Sequence, residues 1–407
     1  MNFLPVDEQL TILRRGTVEI VPEEELVEKL EHSQKTGTPL KIKLGCDPTR
    51  PDLHLGHSVI LRKLRQFQDL GHQAILIIGD FTGMIGDPSG ANKTRPSLSH
   101  EEMHENAKSY YEQASKILDP DKTKIVYNSE WLGKMSFEDV IRLASKVTLA
   151  RMIERDDFTN RYEKEEPISL HEFLYPLAQG QDSVHLKSDV ELGGTDQKFN
   201  LLIGRHLQRE EGLPQQICLM MPLLVGLDGS QKMSKSYDNY ISLDELPNDM
   251  YGKTLSIPDD LIYSYFELVT DAPSDLLPEI KEKAEIDPRN AKHDLAFTLT
   301  RMYHSEEAAN KARDQFQKTV INKEIPDDIP ELAFEKNSIQ NLLGIIKETN
   351  FAPSTSEARR LVKQGGVSID GEKITDISHE LNFKNASEYI LKVGKRKYCK
   401  LKQGNPK

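Results

Sequence analysis

Residues Lys43–His57 read KLGCDPTRPDLHLGH, and the reading of this stretch decides the fold of the chain's first half. The apolar-biased run Leu40–Leu44 just before and within it reads as a short buried strand. Gly45 breaks that run, and Asp47, Pro48, Pro51 and Asp52 make a loop that leads into a helix. His54, Gly56 and His57 fall in the first helical turn, beside backbone N–H groups that lack intrahelical partners and favour an anion. With no side chain at Gly56, a flat or charged ligand can come close to the backbone. The stretch therefore predicts a seat for a phosphate chain. Taken alone, HxxH also fits two surface histidines or half of a zinc site, but no Cys or further His nearby completes a metal set.

Outward from this stretch, Ser58–Leu70 continues as an amphipathic helix that stops at Gly71. Ala74–Ile78 (AILII) is a near-continuous apolar run, the mark of a strand buried on both faces of a parallel sheet. Strand, helix and strand make a βαβ unit with a right-handed crossover. The loop after the second strand, GDFTGMIGDPSGANKTRPS, follows the carboxyl end of a strand, where open α/β sheets bind ligands; it also fits an ordinary long surface loop.

The chain has 407 residues, enough for two or three domains, with 37% hydrophobic and 29% charged residues. No apolar run approaches membrane-spanning length, and the N-terminus carries no basic segment followed by an apolar core. Cys46, Cys218 and Cys399 are scattered, which suits a reduced, cytoplasmic protein. The net charge of −12 is unevenly spread: residues 343–407 hold 13 Lys+Arg against 7 Asp+Glu, a net of +6, which leaves −18 on the rest. An acidic body with a basic end suggests an acidic partner gripped there.

Further on, 22–32, 99–118 and 136–145 read as helices and 124–127 as a strand. Leu170–Val184 reads as a helix on which Tyr175, Gln179 and Asp182 share one face, at spacing i, i+4, i+7. That face is either solvated or lines a pocket for a small polar ligand. Val190–Leu192 is a short strand ending in Gly193–Gly194–Thr195–Asp196–Gln197, where Asp196 can cap the next helix or accept from a ribose hydroxyl. Ile217–Met221 is another buried strand, and LVGLDGSQKMSKS (224–236) is a Gly/Ser-rich loop with Lys232 and Lys235 three apart, either solvated surface or a mobile phosphate clamp. From about 242 the pattern becomes all-helical. Residues 322–342 read as a Pro- and acid-rich linker, and 343–407 as a small α+β unit carrying Arg359, Arg360 and Lys363 on one helix.

HLGH at the start of the crossover helix and KMSKS at 232–236 form a paired pattern that resembles the class I aminoacyl-tRNA synthetases, whose defining motifs are HIGH and KMSKS. GCDPTRPDLHLGH, GDFTGMIGDPSG, YPLAQGQDS and GGTDQKFN look like the tyrosyl branch, and the C-terminal unit is similar to the S4-type RNA-binding domain that bacterial members carry. The resemblance implies a Rossmann-like parallel-sheet catalytic domain (1–241), an all-helical anticodon-binding domain (242–321), a linker (322–342) and an S4-like RNA-binding domain (343–407). It implies L-tyrosine, ATP accompanied by Mg²⁺, and tRNA(Tyr) as substrates, and a cytoplasmic homodimer.

By the same resemblance, His54, His57, Lys232 and Lys235 are catalytic and contact the phosphates of ATP, and Gly45, Asp47, Gly194 and Asp196 surround adenosine. Asp87, Tyr175, Gln179 and Gln197 would hold the tyrosine ammonium and carboxylate, Asp182 would accept from the phenol, and Arg359, Arg360 and Lys363 would face RNA. Chemistry independent of the family agrees: a carboxylate attacking a phosphate is already ionised, so catalysis comes from positioning and charge stabilisation without a general base. Rejecting phenylalanine needs a buried polar group left unpaired by it, a discrimination for which the tyrosyl enzymes are themselves the standing example. Three positions depart from the better-known branch and fit a second bacterial subtype: Lys43 replaces a tyrosine, Glu191 a glutamine and Ala91 a lysine. Two other readings compete, another HxGH nucleotidyltransferase and a catalytically silent RNA-binding protein on the same scaffold, and tryptophan is the alternative amino acid.

Overall fold

A computed structural model describes residues 3–48, 52–88, 100–321, 329–384, 386–394 and 397–404. Apolar runs become the strands β1 (Glu19–Val21), β2 (Lys41–Cys46), β3 (Gln73–Ile78), β4 (Thr123–Tyr127), β5 (Val190–Gly194) and β6 (Ile217–Met221) of one sheet, in the order β1-β6-β5-β2-β3-β4. β2 to β6 are mutually parallel, and β1 closes one edge antiparallel to β6. Continuous Ile/Leu/Val/Met runs suit strands covered on both faces, and every residue of β6 is buried. Gly45 does not end β2: Gly45 and Cys46 still pair with Ile77 and Ile78, because a glycine lacks a packing side chain but keeps both ladder groups.

The crossover helix α1 (Leu55–Asp69) connects β2 to β3 and buries Leu55, Val59, Leu64 and Phe67 against the sheet. Its Lys63 turns inward, donating to the carbonyls of Leu13 and Arg15 at 2.9 and 2.8 Å and satisfying the carboxyl end of the helix Val6–Arg14. β2 has β3 on one side and β5 on the other, so the chain reverses its direction of travel across the sheet at β2. The carboxyl ends of β2 and β5 therefore flank a crevice, the standard ligand position in such sheets. Helices α2 (Leu174–Leu186) and α3 (Lys198–Glu210) pack on each other next to it.

The helices Pro247–Thr254, Ile262–Val269, Leu277–Ile286 and Pro288–Tyr303 follow. The sequence suggests a separate domain from 242, yet Leu243, Met250, Tyr265 and Leu295 join one core with Leu44, Leu64 and Leu219. Residues 1–313 are one compact unit. The cause is mutual burial: Ile262, Tyr265 and Val269 supply the apolar surface that α1 needs on its far side.

The second unit, 314–407, has its own core. It contains β7 (Glu331–Phe334), β8 (Ile339–Asn341), α4 (Leu342–Glu348), α5 (Thr355–Lys363), β9 (Val367–Ile369), β10 (Glu372–Ile374), β11 (Glu380–Asn382), β12 (Glu388–Val393) and β13 (Lys397–Gln403). They form a sheet β10-β9-β12-β13-β7 and a ribbon β11-β8. Of the stretch read as linker, 331–334 and 339–341 are thus strands and 322–328 lie outside the described residues: Phe334 is buried and stacked 5.3 Å from Phe383, and β7 pairs parallel with β13. Among the described residues no helix is long and apolar enough to cross a membrane.

Candidate active site

His54 is the N-cap of α1 and not its first helical residue. Its Nδ1 accepts from Gly56 N–H at 3.1 Å, while Nδ1 of His57 accepts from His54 N–H at 3.2 Å, so the two imidazoles form a reciprocal capping box. The rings lie 3.9 Å apart and tilted by 46°. A Cβ at Gly56 would come within 2.9 Å of the His54 ring, so glycine is required there for the imidazole as much as for any ligand. Burial, then His57 and Lys235, push His54 down to about 2; burial and Lys235 push His57 down to about 4. Both rings are neutral at pH 7, and with each Nδ1 accepting, the proton sits on Nε2 as an outward donor.

The KMSKS loop folds against this helix start. Leu55 N–H donates to Ile241 C=O at 3.0 Å, and Met233 is buried. Lys232 pairs with Asp196 at 3.2 Å, and Lys235 pairs with Asp52. Two motifs far apart in sequence thus bring two Nε2–H donors and two ammonium groups to one crevice. Each lysine is held by a carboxylate that phosphate oxygens can replace. Gly45 lies exposed at the end of β2 and Gly194 ends β5, leaving bare backbone on both sides of the crevice.

At the end of β2, Asp47 accepts from Thr82 Oγ1 at 2.7 Å and from the Tyr175 hydroxyl at 2.9 Å. Burial, then Asp47, raise the Tyr175 phenol well above its usual range. Asp87 accepts from Gln197 Nε2 at 2.7 Å and Arg155 Nη2 at 3.0 Å. Asn200 Nδ2 donates to both Gln197 Oε1 (2.9 Å) and Gln179 Oε1 (3.0 Å), and its own Oδ1 accepts from Arg155 Nη1 at 3.1 Å. Asp87, Gln179 and Gln197 are therefore one hydrogen-bonded set. Gln179 Nε2 continues the chain to Glu191 Oε1 at 3.0 Å.

Asp182, one turn beyond Gln179, is buried and accepts from Trp131 Nε1 at 2.8 Å and from Asn128 Nδ2 at 3.4 Å. Burial raises its carboxyl to about 7; Lys43 and the Trp131 and Asn128 hydrogen bonds oppose the rise, and Glu191 adds to it. Arg359, Arg360 and Lys363 lie exposed on α5, with Arg360 paired to Glu357 at 2.5 Å. Ala91 lies outside the described residues.

Arg155, Asn200, Trp131 and Asn128 were not singled out from sequence. Asn200 stands one turn after Gln197 in GGTDQKFN, and Trp131 is the sole tryptophan, so both carried a signal. Arg155, in the charged run RMIERDD, carried none. Among the described residues no group of three His, Cys, Asp or Glu side chains is arranged to hold a metal ion.

Residues 34–320 match the family model "tRNA synthetases class I (W and Y)", and 321–401 match "Tyrosine--tRNA ligase SYY-like C-terminal domain". The chain is 58% identical over 404 residues to a tyrosine–tRNA ligase of Salinibacter ruber, covering 99% of this chain and 98% of that one. It is 53% identical over 406 residues to the tyrosine–tRNA ligase of Thermotoga maritima, covering 98% and 99%. Among solved structures it resembles a tyrosyl-tRNA synthetase from Archaeoglobus fulgidus in complex with L-tyrosine, at TM-score 0.62 and 27% identity over 76% of this chain and 100% of that one.

Proposed function

The chain belongs to the class I tRNA synthetases of the tryptophan and tyrosine type, and from that premise we infer that it is a ligase that activates L-tyrosine with ATP and transfers it to tRNA(Tyr). The tyrosine carboxylate attacks the α-phosphorus of ATP, the bond to the bridging oxygen breaks, and pyrophosphate leaves. A hydroxyl of the tRNA's terminal ribose then attacks the tyrosyl carbonyl, and AMP leaves. The observation that supports this reading is Lys235 standing close enough to His54 and His57 to act on both rings, with Lys232 paired to Asp196 just after β5.

The Nε2–H groups of His54 and His57 donate to the ATP phosphates at the positive end of α1. Lys232 and Lys235 leave Asp196 and Asp52 for the β- and γ-phosphates and follow the charge onto pyrophosphate. Asp196, once released, accepts from the ribose; Gly45, Asp47 and Gly194 complete the adenosine side. Mg²⁺ arrives with ATP as part of the substrate. Asp87, Tyr175, Gln179 and Gln197 hold the α-ammonium and carboxylate of tyrosine, and Asp182 accepts from its phenol, a hydrogen bond to a buried carboxylate that phenylalanine cannot make.

Residues up to 241 carry this chemistry, 242–321 meet the anticodon side of the tRNA, and the basic unit beyond 342 adds phosphate contacts through Arg359, Arg360 and Lys363. The enzyme acts in the cytoplasm as a homodimer. What supports the dimer is an apolar surface: Phe137, Leu149 and Leu170 are 81%, 61% and 84% exposed on elements around one small core. Amino-acid-dependent exchange of pyrophosphate into ATP, run with tyrosine, phenylalanine and tryptophan, tests the function. Exchange with tyrosine is expected; exchange with none, or with tryptophan alone, would overturn it.

A further inference from the structure

Lys43 and Glu191 are register partners on β2 and β5, the two strands between which the crevice opens. Ammonium and carboxylate lie 3.0 Å apart, with side chains 1% and 2% exposed. Burying such a pair is a weak source of stability, because desolvation of both ions offsets their attraction and an apolar pair of similar volume does as well. The arrangement the pair imposes is the more informative property.

That arrangement is directed at α2. Lys43 Nζ donates to Gln179 C=O at 3.1 Å, and Glu191 accepts from the Gln179 amide at 3.0 Å, from Ser183 Oγ at 3.2 Å and from Gln216 Nε2. Because Asn200 donates to the other end of the Gln179 amide, Nε2 must face Glu191 and Oε1 must face Asn200. Asp182 lies three residues further along the same helix, and Lys43 is the positive group that most favours its ionised form, with Glu191 opposing. Backbone clearance for the cluster comes from Gly204. A Cβ there would lie 2.7 Å from Gln216 Nε2, 2.8 Å from Ser183 Oγ and 3.2 Å from Glu191 Oε2.

We propose that the Lys43–Glu191 pair is a positioning unit for amino-acid recognition: without touching the substrate it sets the Gln179 amide at the amino end of the tyrosine site and supplies the counter-charge for Asp182 at the phenol end. One ion pair thereby serves both ends of the ligand. The proposal rests on the assignment of Gln179 and Asp182 to the tyrosine site.

The test is tyrosine- and phenylalanine-dependent pyrophosphate exchange between pH 6 and 9, with the melting temperature of each variant, for wild type, Lys43→Met/Glu191→Met, Lys43→Gln and Asp182→Asn. The double variant is expected to fold with a lowered melting temperature: no lone ion is left buried, but Gln179, Ser183 and Gln216 lose an acceptor. Its KM for tyrosine rises about tenfold with kcat within about threefold and the KM for ATP unchanged. The acid limb of kcat/KM for tyrosine moves up by less than in Lys43→Gln, because Asp182 loses Lys43 and the opposing Glu191 together. Lys43→Gln keeps hydrogen-bonding capacity but not charge, and moves the limb the same way even if the double variant does not fold. A tyrosine KM and an acid limb both in their wild-type places in a folded Lys43 variant would make the pair purely structural and overturn the proposal. Asp182→Asn separates the two levels. If it removes the limb and the tyrosine preference while the Lys43 variants change nothing, the pair proposal alone fails; if it changes neither, the assignment of the pocket fails first.

Discussion

The hydroxyl of Tyr175 donates to Asp47 across 2.9 Å, tying the helix face assigned to the amino acid to the strand end assigned to the nucleotide. The second oxygen of Asp47 is held by Thr82 at 2.7 Å, so its carboxylate is oriented from both sides. Tyr175→Phe should therefore affect both substrates. A hydrogen bond to a charged acceptor contributes about 1.5 kcal/mol, so kcat/KM in pyrophosphate exchange is expected to fall about tenfold, with KM rising for ATP as well as for tyrosine. A change confined to tyrosine would mean that Asp47 keeps its orientation without the Tyr175 hydroxyl.

His54 and His57 titrate far below neutrality, at about 2 and 4, so neither should contribute an inflection to the rate between pH 5 and 8. Nitrogen-15 spectra of the free protein are expected to show both rings neutral with the proton on Nε2. His57→Ala removes an acceptor from the N-cap as well as a donor from the site, with about 1 kcal/mol lost in stability by calorimetry. His57→Asn, which keeps an acceptor for His54 N–H, should recover most of that stability. A ring titrating near 6.5 would contradict the capping arrangement.

Asp182, raised to about 7 from its ordinary 3.8, gives a pH dependence with opposite signs in activity and stability. Below pH 7 the acceptor is protonated, so kcat/KM for tyrosine falls as the solution is acidified. The folded state holds this proton more tightly than the unfolded chain, so the associated stability is present below about pH 4 and is lost as pH rises through 7. Asp182→Asn should lose the acid limb and the preference for tyrosine over phenylalanine. Its melting temperature should exceed that of wild type at pH 8 by more than at pH 5.

His72 is buried between Gln9 Oε1, 3.0 Å from its Nε2, and Leu40 N–H, 3.3 Å from its Nδ1. Burial pushes it down to about 4. A depressed histidine contributes stability above pH 6.5 that is lost as pH falls towards 4, at most ~3 kcal/mol here. Urea unfolding across that window should show a shallower acid slope for His72→Gln. An unchanged slope would mean that His72 does not set the acid sensitivity.

The strand β7 pairs with β13 inside the second unit, so a truncation meant to remove that unit must end before it. A chain ending at Ile321 is expected to keep tyrosine-dependent exchange near the full-length rate while charging of tRNA(Tyr) drops. A parallel loss of both activities would make the C-terminal unit a structural support.

The parallel strands were legible because burial on both faces writes continuous apolar runs; Ile217–Met221 was readable to the residue. β1 was not, being three half-buried residues on an edge. Residues 331–341 hid two strands behind acidic and polar composition, because only Leu332, Phe334 and their partners across the sheet reveal the inward face. In the candidate site, HLGH and KMSKS were recognisable as a motif pair by residue type and spacing alone. Arg155, Asn128 and Asn200 escaped because they act on other side chains, Asp87, Asp182 and Gln179, and sequence does not record who stands next to whom.

The KMSKS loop leaves the core at Leu224 and returns at Ile241, 3% and 0% exposed. Between these posts Met233 N–H donates to Leu224 C=O at 2.7 Å, Gly226 N–H to Gln231 C=O at 2.8 Å, and Leu227 N–H to Asn239 C=O at 2.9 Å. A segment fixed at both jambs and laced across its middle is expected to move as one body. Lys232 and Lys235 lie on the same body, so under the proposed phosphate roles they are expected to leave Asp196 and Asp52 together. Their replacement by alanine is therefore expected to be strongly non-additive, and the closing motion counts as one event with two charges aboard.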